Sequence, residues 1–347
     1  MTSAVIKQGI SFIKQKKNEG INIKIPRNSG QIDDNFPAGS EITKFSAEVL
    51  EDSGKLGIKN VEITTDKSGF SYFLDGIERK RIFSYMRSIP IIYGYVAGVV
   101  LKRTDKQLHS VNLEKTYENF YMPVKTDFGC PEFYFSEDEL KGIAQSIKNI
   151  GKRQKADENY PMLPEDFIKA AHSSIQSKRN KIEGSLAKTW IDAGYDDGWL
   201  FVDGRLENKN KELISGSNIV GIIKSHHASY FNIEDQYKLY TMEKGQRSGV
   251  FQPIGGDGRK ENVYSWYLKL HHDKKHGDNN FGLIRVEVPA EEEFLRKADL
   301  ISSWILLEAK PVAFPASRWD RMIYPIKYCE DYLKSRAPSW TLINSLN

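Results

Sequence analysis

Phe70-Ser71-Tyr72-Phe73-Leu74-Asp75-Gly76 and Trp199-Leu200-Phe201-Val202-Asp203-Gly204 are built alike, each an apolar and aromatic run that ends in Asp-Gly. Each reads as a buried β-strand that delivers a carboxylate to its end. Asp-Gly is also a strong hairpin-turn signal, because glycine takes positive φ easily, and either stretch by itself is open to that reading. Side by side in one sheet, the two ends would set a pair of acidic oxygens in a rigid frame. Mg²⁺ or Mn²⁺ needs such a pair to hold and activate a phosphodiester.

Around these two stretches the pattern mixes strands and helices without regular alternation. Val61-Glu62-Ile63-Thr64 alternates as a strand, residues 89–101 supply one or two β segments, and 219–223 begins another element. Residues 266–270 and 283–288 alternate like paired strands. Helices are expected over 1–17, where Ile6, Ile10 and Ile13 recur among lysines, over 137–148, and over 165–193 behind the stop signals Pro161 and Pro164. Loops are expected at 245–262 and 271–280. The fold class is therefore α/β, a mixed sheet flanked by helices. An N-terminal helical and loop extension over 1–58 precedes a domain over 59–347, which carries a helical insertion around 137–193.

Composition narrows the function. Among 347 residues, 50 Lys and Arg stand against 46 Asp and Glu, a net charge of +4, so nucleic-acid contact has to come from local patches. Two cysteines, Cys130 and Cys329, lie far apart with no CxxC spacing, which excludes a disulfide framework and a cysteine zinc site and suits a reducing cytoplasm. The most apolar stretch, 89–101, is shorter than a bilayer span and holds Pro90, Gly94 and Gly98, so no membrane is expected. Gly255-Gly256-Asp257-Gly258-Arg259-Lys260 lacks the phosphate-loop pattern GxxxxGK[ST] and gives the chain no nucleotide-hydrolysing motor. His226-His227 and His271-His272 with His276 have no zinc spacing and read as loop histidines.

Further candidates surround the two aspartates. Arg179 and Glu183, four residues apart, share one face of a helix and offer a third acid, or a plain surface ion pair. Lys224 emerges from an apolar run beyond Asp203-Gly204-Arg205-Leu206, placed to steady a phosphate as a point charge or simply to meet solvent. Basic runs at Arg79-Lys80-Arg81, Lys152-Arg153-Gln154-Lys155 and Lys178-Arg179-Asn180-Lys181 are ordinary solvated faces or a phosphate track, and two of them adjoin the acids. Trp319, Tyr324, Tyr328, Tyr332 and Trp340 enrich the last thirty residues in aromatics for core packing, base stacking or a partner.

Taken in order, these blocks resemble the NurA-type nucleases, whose domain is RNase H-like. The likeness covers about 71–334. It runs through Asp75-Gly76, Arg179 and Glu183, Asp203-Gly204-x-Leu206, Gly221-x-x-Lys224, Trp266-Tyr267-Leu268-Lys269-Leu270, Arg285-Val286-Glu287-Val288-Pro289 and Tyr324-Pro325. The resemblance implies a DNA nuclease using Mn²⁺ or Mg²⁺, a homodimer working with a HerA-type hexameric ATPase in DNA end processing or anti-phage defence. It carries the metal and catalytic acids onto Asp75, Glu183 and Asp203, with Lys224 and Arg179 orienting the phosphate. Two departures stand out. Ile77 takes the place of a common Ser, and the usual late His is missing from Cys329-Glu330-Asp331-Tyr332, where Asp331 is the candidate replacement ligand.

Two other readings compete. In one, the run ending Glu308-Ala309-Lys310 is a strand of a PD-(D/E)xK-type nuclease with Asp299 as the upstream acid; a helix ending there explains the same residues without chemistry. In the other, the chain is an inactive DNA-binding or adaptor subunit on the same fold, since fold does not fix function. Presence of all three acids argues for the enzyme.

Overall fold

A computed structural model of the chain describes residues 45–86, 89–122, 147–149, 164–206, 215–224, 229–271, 280–310 and 319–338, with Asn18 alone before them. The helices expected over 1–17 and most of 137–148 lie outside the described residues, as do the basic run at 152–155 and Trp340.

Twelve described strands form a single mixed sheet. They are β1 (Ser46–Val49), β2 (Ile58–Asn60), β3 (Phe70–Met86), β4 (Ile89–Thr104), β5 (Gln107–Met122), β6 (Ile147–Asn149), β7 (Trp199–Asp203), β8 (Ile219–Ile223), β9 (Gln246–Ser248), β10 (Phe251–Ile254), β11 (Val263–Lys269) and β12 (Leu283–Pro289). The main path runs β1-β10-β11-β12-β8-β7-β3-β4-β5-β6, with β2 and β9 on a branch beside β11. Helices are α1 (Pro164–Asp192), α2 (Ile233–Tyr240), α3 (Glu292–Arg296), α4 (Ala298–Glu308) and α5 (Tyr324–Arg336).

The part that positions the site is β5-β4-β3-β7-β8. β3, β4 and β5 form an antiparallel meander, α1 follows β6 in the chain, and β7 and β8 then lie parallel to β3. β7 and β8 sit mid-sheet and are buried on both faces, hence their unbroken apolar runs. α1 covers one face through Ile182, Leu186 and Trp190 over Tyr72, Leu74 and Val100. α4 and α5 cover the other, with Ile301, Ile305, Ile326, Cys329 and Leu333 over Phe73, Ile77 and Phe201. Gly76 and Gly98 are cross-strand partners, and a Cβ on Gly98 would stand 2.9 Å from the Leu186 side chain. Two adjacent glycines therefore let α1 approach the sheet closely.

Several expectations need correction. Asp75-Gly76 is neither a turn nor a strand end: β3 runs on to Met86, and it is the pairing with β7 that stops, at Leu74 opposite Val202. The local turn signal gives way because the β4 ladder carries β3 past it with no register shift as far as Ile82. Residues 61–64 form no strand; the strand is the preceding 58–60, paired with β9. The presumed loop at 245–262 contains β9 and β10. Residues 45–58 are no separate extension, since β1 pairs with β10 and β2 with β9 in the same sheet. Position 147–148, expected as helix, begins β6. The helix expected over 165–193 and the strand pair β11 and β12 match closely. No described helix is long and apolar enough to cross a membrane.

Candidate functional site

Leu74 and Val202 are partners in the parallel pair, so the next residues, Asp75 and Asp203, stand on neighbouring strands. Parallel strands are about 4.8 Å apart. Both side chains share the face of Phe73 and Phe201, under α5. Asp75 is buried, and its Oδ1 accepts a 2.7 Å bond from Gly76 N–H. Burial first, then the charges of Asp203 and Glu183, push its carboxyl well above the usual range, while Lys224 and the Gly76 N–H pull the other way. Lys224 Nζ donates to Asp203 Oδ2 at 2.9 Å.

Glu183 arrives from the opposite face. Its carboxylate lies over Gly76, where a Cβ would come 2.5 Å from Oε1. Although it stands on the other face of β3, the charge of Glu183 is felt by Asp75. Arg179 Nε stands 3.4 Å from Glu183 Oε1, the expected i,i+4 pair, but Glu183 is buried, so this is no ordinary surface pair.

Asp331 is not brought to the acids. Its carboxylate pairs with Lys327 at 2.7 Å on the outer side of α5, with 58% of the side chain exposed. Two helical positions are roughly 200° apart, and it is Cys329 that α5 turns inward. The Cys329 thiol lies 3.6 Å from the Phe73 carbonyl oxygen and is pushed up by burial and by the charges of Asp75 and Asp203. Reading 325, 326, 329 and 333 as one helical stripe would have singled it out. The basic runs are partly structural: Arg79 donates to the Lys334 and Pro338 carbonyls at the end of α5, Lys80 pairs with Glu78, and Lys178 lies over the Tyr117 ring.

Glu308 and Lys310 form no strand-borne motif. Glu308 ends α4 and takes a two-pronged ion pair from Arg103 at 2.8 and 2.6 Å, while Asp299 at the other end of the helix pairs with Arg247. The 298–308 run packs as a helix on the sheet face, with Ile301 and Ile305 in the core beside Phe73 and Phe201.

Comparison with models of known protein families finds no match, and no curated protein is recognisably similar in sequence. Among the described residues, no three His, Cys, Asp or Glu side chains converge closely enough to hold a metal as they stand. Glu183 stands on the face of β3 opposite Asp75 and Asp203.

Proposed function

We propose that the chain is a divalent-metal-dependent DNA nuclease on an RNase H-like sheet, of the NurA type. One observation carries the reading: in the order β5-β4-β3-β7-β8, two adjacent parallel strands stop pairing at Leu74 and Val202 and so set Asp75 and Asp203 side by side, with Glu183 offered by the intervening helix. The donors suit Mg²⁺ or Mn²⁺, which bind through one or two carboxylates and complete their shells with water and substrate phosphate. Asp75 and Asp203 would hold the metal, and Glu183 would add its negative charge from the far face of β3. The ion would supply charge for the developing phosphorane and a more acidic water.

The remaining residues act by placement. Lys224 leaves Asp203 for a non-bridging phosphate oxygen, exchanging one charge-assisted bond for another. Arg179 orients Glu183. Cys329 and Phe73 wall the aspartates from bulk water on the α5 side, which strengthens every charge interaction there. With no motor of its own, the nuclease works as a homodimer on a HerA-type hexameric ATPase in the cytoplasm, in DNA end processing or anti-phage defence. An inactive DNA-binding subunit is the second reading, favoured by the separation of the three acids. Incubating the purified chain with single- and double-stranded DNA and Mn²⁺, with and without chelator, decides between them: metal-dependent cleavage is expected, and binding without cleavage selects the adaptor.

A further inference from the structure

Lys224 stands beyond the ladders on both sides of β8, two residues past Ile222, where pairing with β7 ends, and one past Ile223, where pairing with β12 ends. Its backbone carbonyl nevertheless has a partner. Arg321, in the one-turn helix Trp319–Arg321 that precedes α5, donates from one Nη to Lys224 O at 2.6 Å. The Nε of the same guanidinium donates to Asp320 Oδ2 at 3.1 Å. Asp320 is buried, and that oxygen also accepts the Gly282 N–H at 2.7 Å at the start of β12. Gly282 has φ +66°, and a Cβ there would run into the His271 backbone at 2.3 Å, so this anchor has no room to shift.

We propose that Arg321 is a positioning residue for Lys224, clamped by Asp320 to the β11–β12 turn. This rests on the nuclease reading for its catalytic consequence. A lysine is a flexible four-carbon arm, and its head can be aimed only if its backbone origin is fixed. The two strand ladders end short of that origin, and the Arg321 guanidinium supplies the missing support from the segment that also leads into α5 and Cys329. One planar group thus ties the backbone of the lysine to Asp320 and, through it, to Gly282 at the start of β12. A lysine at 321 would carry the charge without the rigid planar fork that meets both acceptors from fixed directions, so the fork is the specific requirement.

The test is a double-mutant cycle on the full chain. Arg321→Ala should lower kcat about tenfold with little change in DNA affinity, and Arg321→Lys should restore part of it. In a Lys224→Ala background, Arg321→Ala should cost nothing further, because the group it aims is gone. Additive losses in the double variant, or a full-rate Arg321→Ala, would overturn the assignment. Hydrogen exchange over 219–224 gives a readout independent of cleavage: Arg321→Ala should exchange at least tenfold faster there while the global melting temperature holds. If the wild-type chain cleaves nothing yet exchange rises locally, the nuclease reading falls and the clamp stands. Unchanged exchange sinks the clamp whatever the activity.

Discussion

Burial and two neighbouring carboxylates work in the same direction on Asp75, and this gives the site a signature in stability as well as in catalysis. The fold raises this carboxyl above its ordinary value of 3.8. Below that ordinary value, both native and unfolded chains carry the proton. As pH climbs from there toward the raised native value, only the native state keeps it, so stability is lost across that window. Asp75→Asn removes the charge and the loss together. It should melt roughly 2 °C higher for each kcal/mol relieved near neutral pH, with the gain fading as pH falls to about 4. Melting curves across pH check this. Asp203→Asn should abolish metal-dependent cleavage, a loss of more than about 10³-fold, while circular dichroism stays unchanged. Cleavage at the wild-type rate would remove Asp203 from the metal site.

At the scale of elements, the close approach of α1 to β3 and β4 depends on two glycines. Gly76→Ala places a methyl 2.5 Å from Glu183 Oε1 and 3.0 Å from its Cγ. Glu183 is buried and cannot swing clear, so the helix must lift or the carboxylate must leave its place. Urea denaturation should show a loss of about 1–3 kcal/mol, together with a fall in cleavage. The α4 end makes a contrasting case. Glu308→Ala frees Arg103, whose second Nη also bonds the Phe70 carbonyl, and should cost about 1–3 kcal/mol, discounted from a fully buried pair because Arg103 is one-quarter exposed. Cleavage per folded molecule should not change; if it collapses, Glu308 has a chemical role after all. These helix contacts were only half legible. The 3.6-residue period located α1 and paired Arg179 with Glu183, yet nothing local said that Glu183 would meet Gly76, because that meeting depends on how far apart helix and sheet come to rest.

For the whole molecule, the sheet continues from the β3-β7-β8 centre through β12, β11, β10 and β1, so the candidate site sits well inside it. A single copy offers one Asp75 and Asp203 pair, and cutting both strands of a duplex calls for two. Light scattering should give twice the 39.7 kDa chain mass. A HerA-type ATPase should raise the rate of duplex degradation only while ATP is hydrolysed. Chelation should stop cleavage without dissociating the dimer, and Mn²⁺ should restore it. A monomer at micromolar concentration would leave the metal site standing and remove the two-strand arrangement.

Periodicity and residue type alone determined that this chain is α/β, that 70–74, 199–202, 266–270 and 283–288 read as strands, that 219–223 begins a further element, and that 165–193 is a helix, because burial on one or both faces is written locally as alternating or unbroken apolar runs. The repeated apolar run before Asp-Gly also marked Asp75 and Asp203 as the acids to watch. Only the tertiary structure decided that Asp75 lies mid-strand, since a ladder supplied by β4 overrides a turn signal within four residues. It also decided that α5 turns Cys329 inward and Asp331 outward, that Glu183 comes from the opposite face, and that Arg321 holds Lys224 across 97 residues of chain. Such contacts depend on which elements pack against each other, a choice made by the total area buried and not by any neighbouring residue.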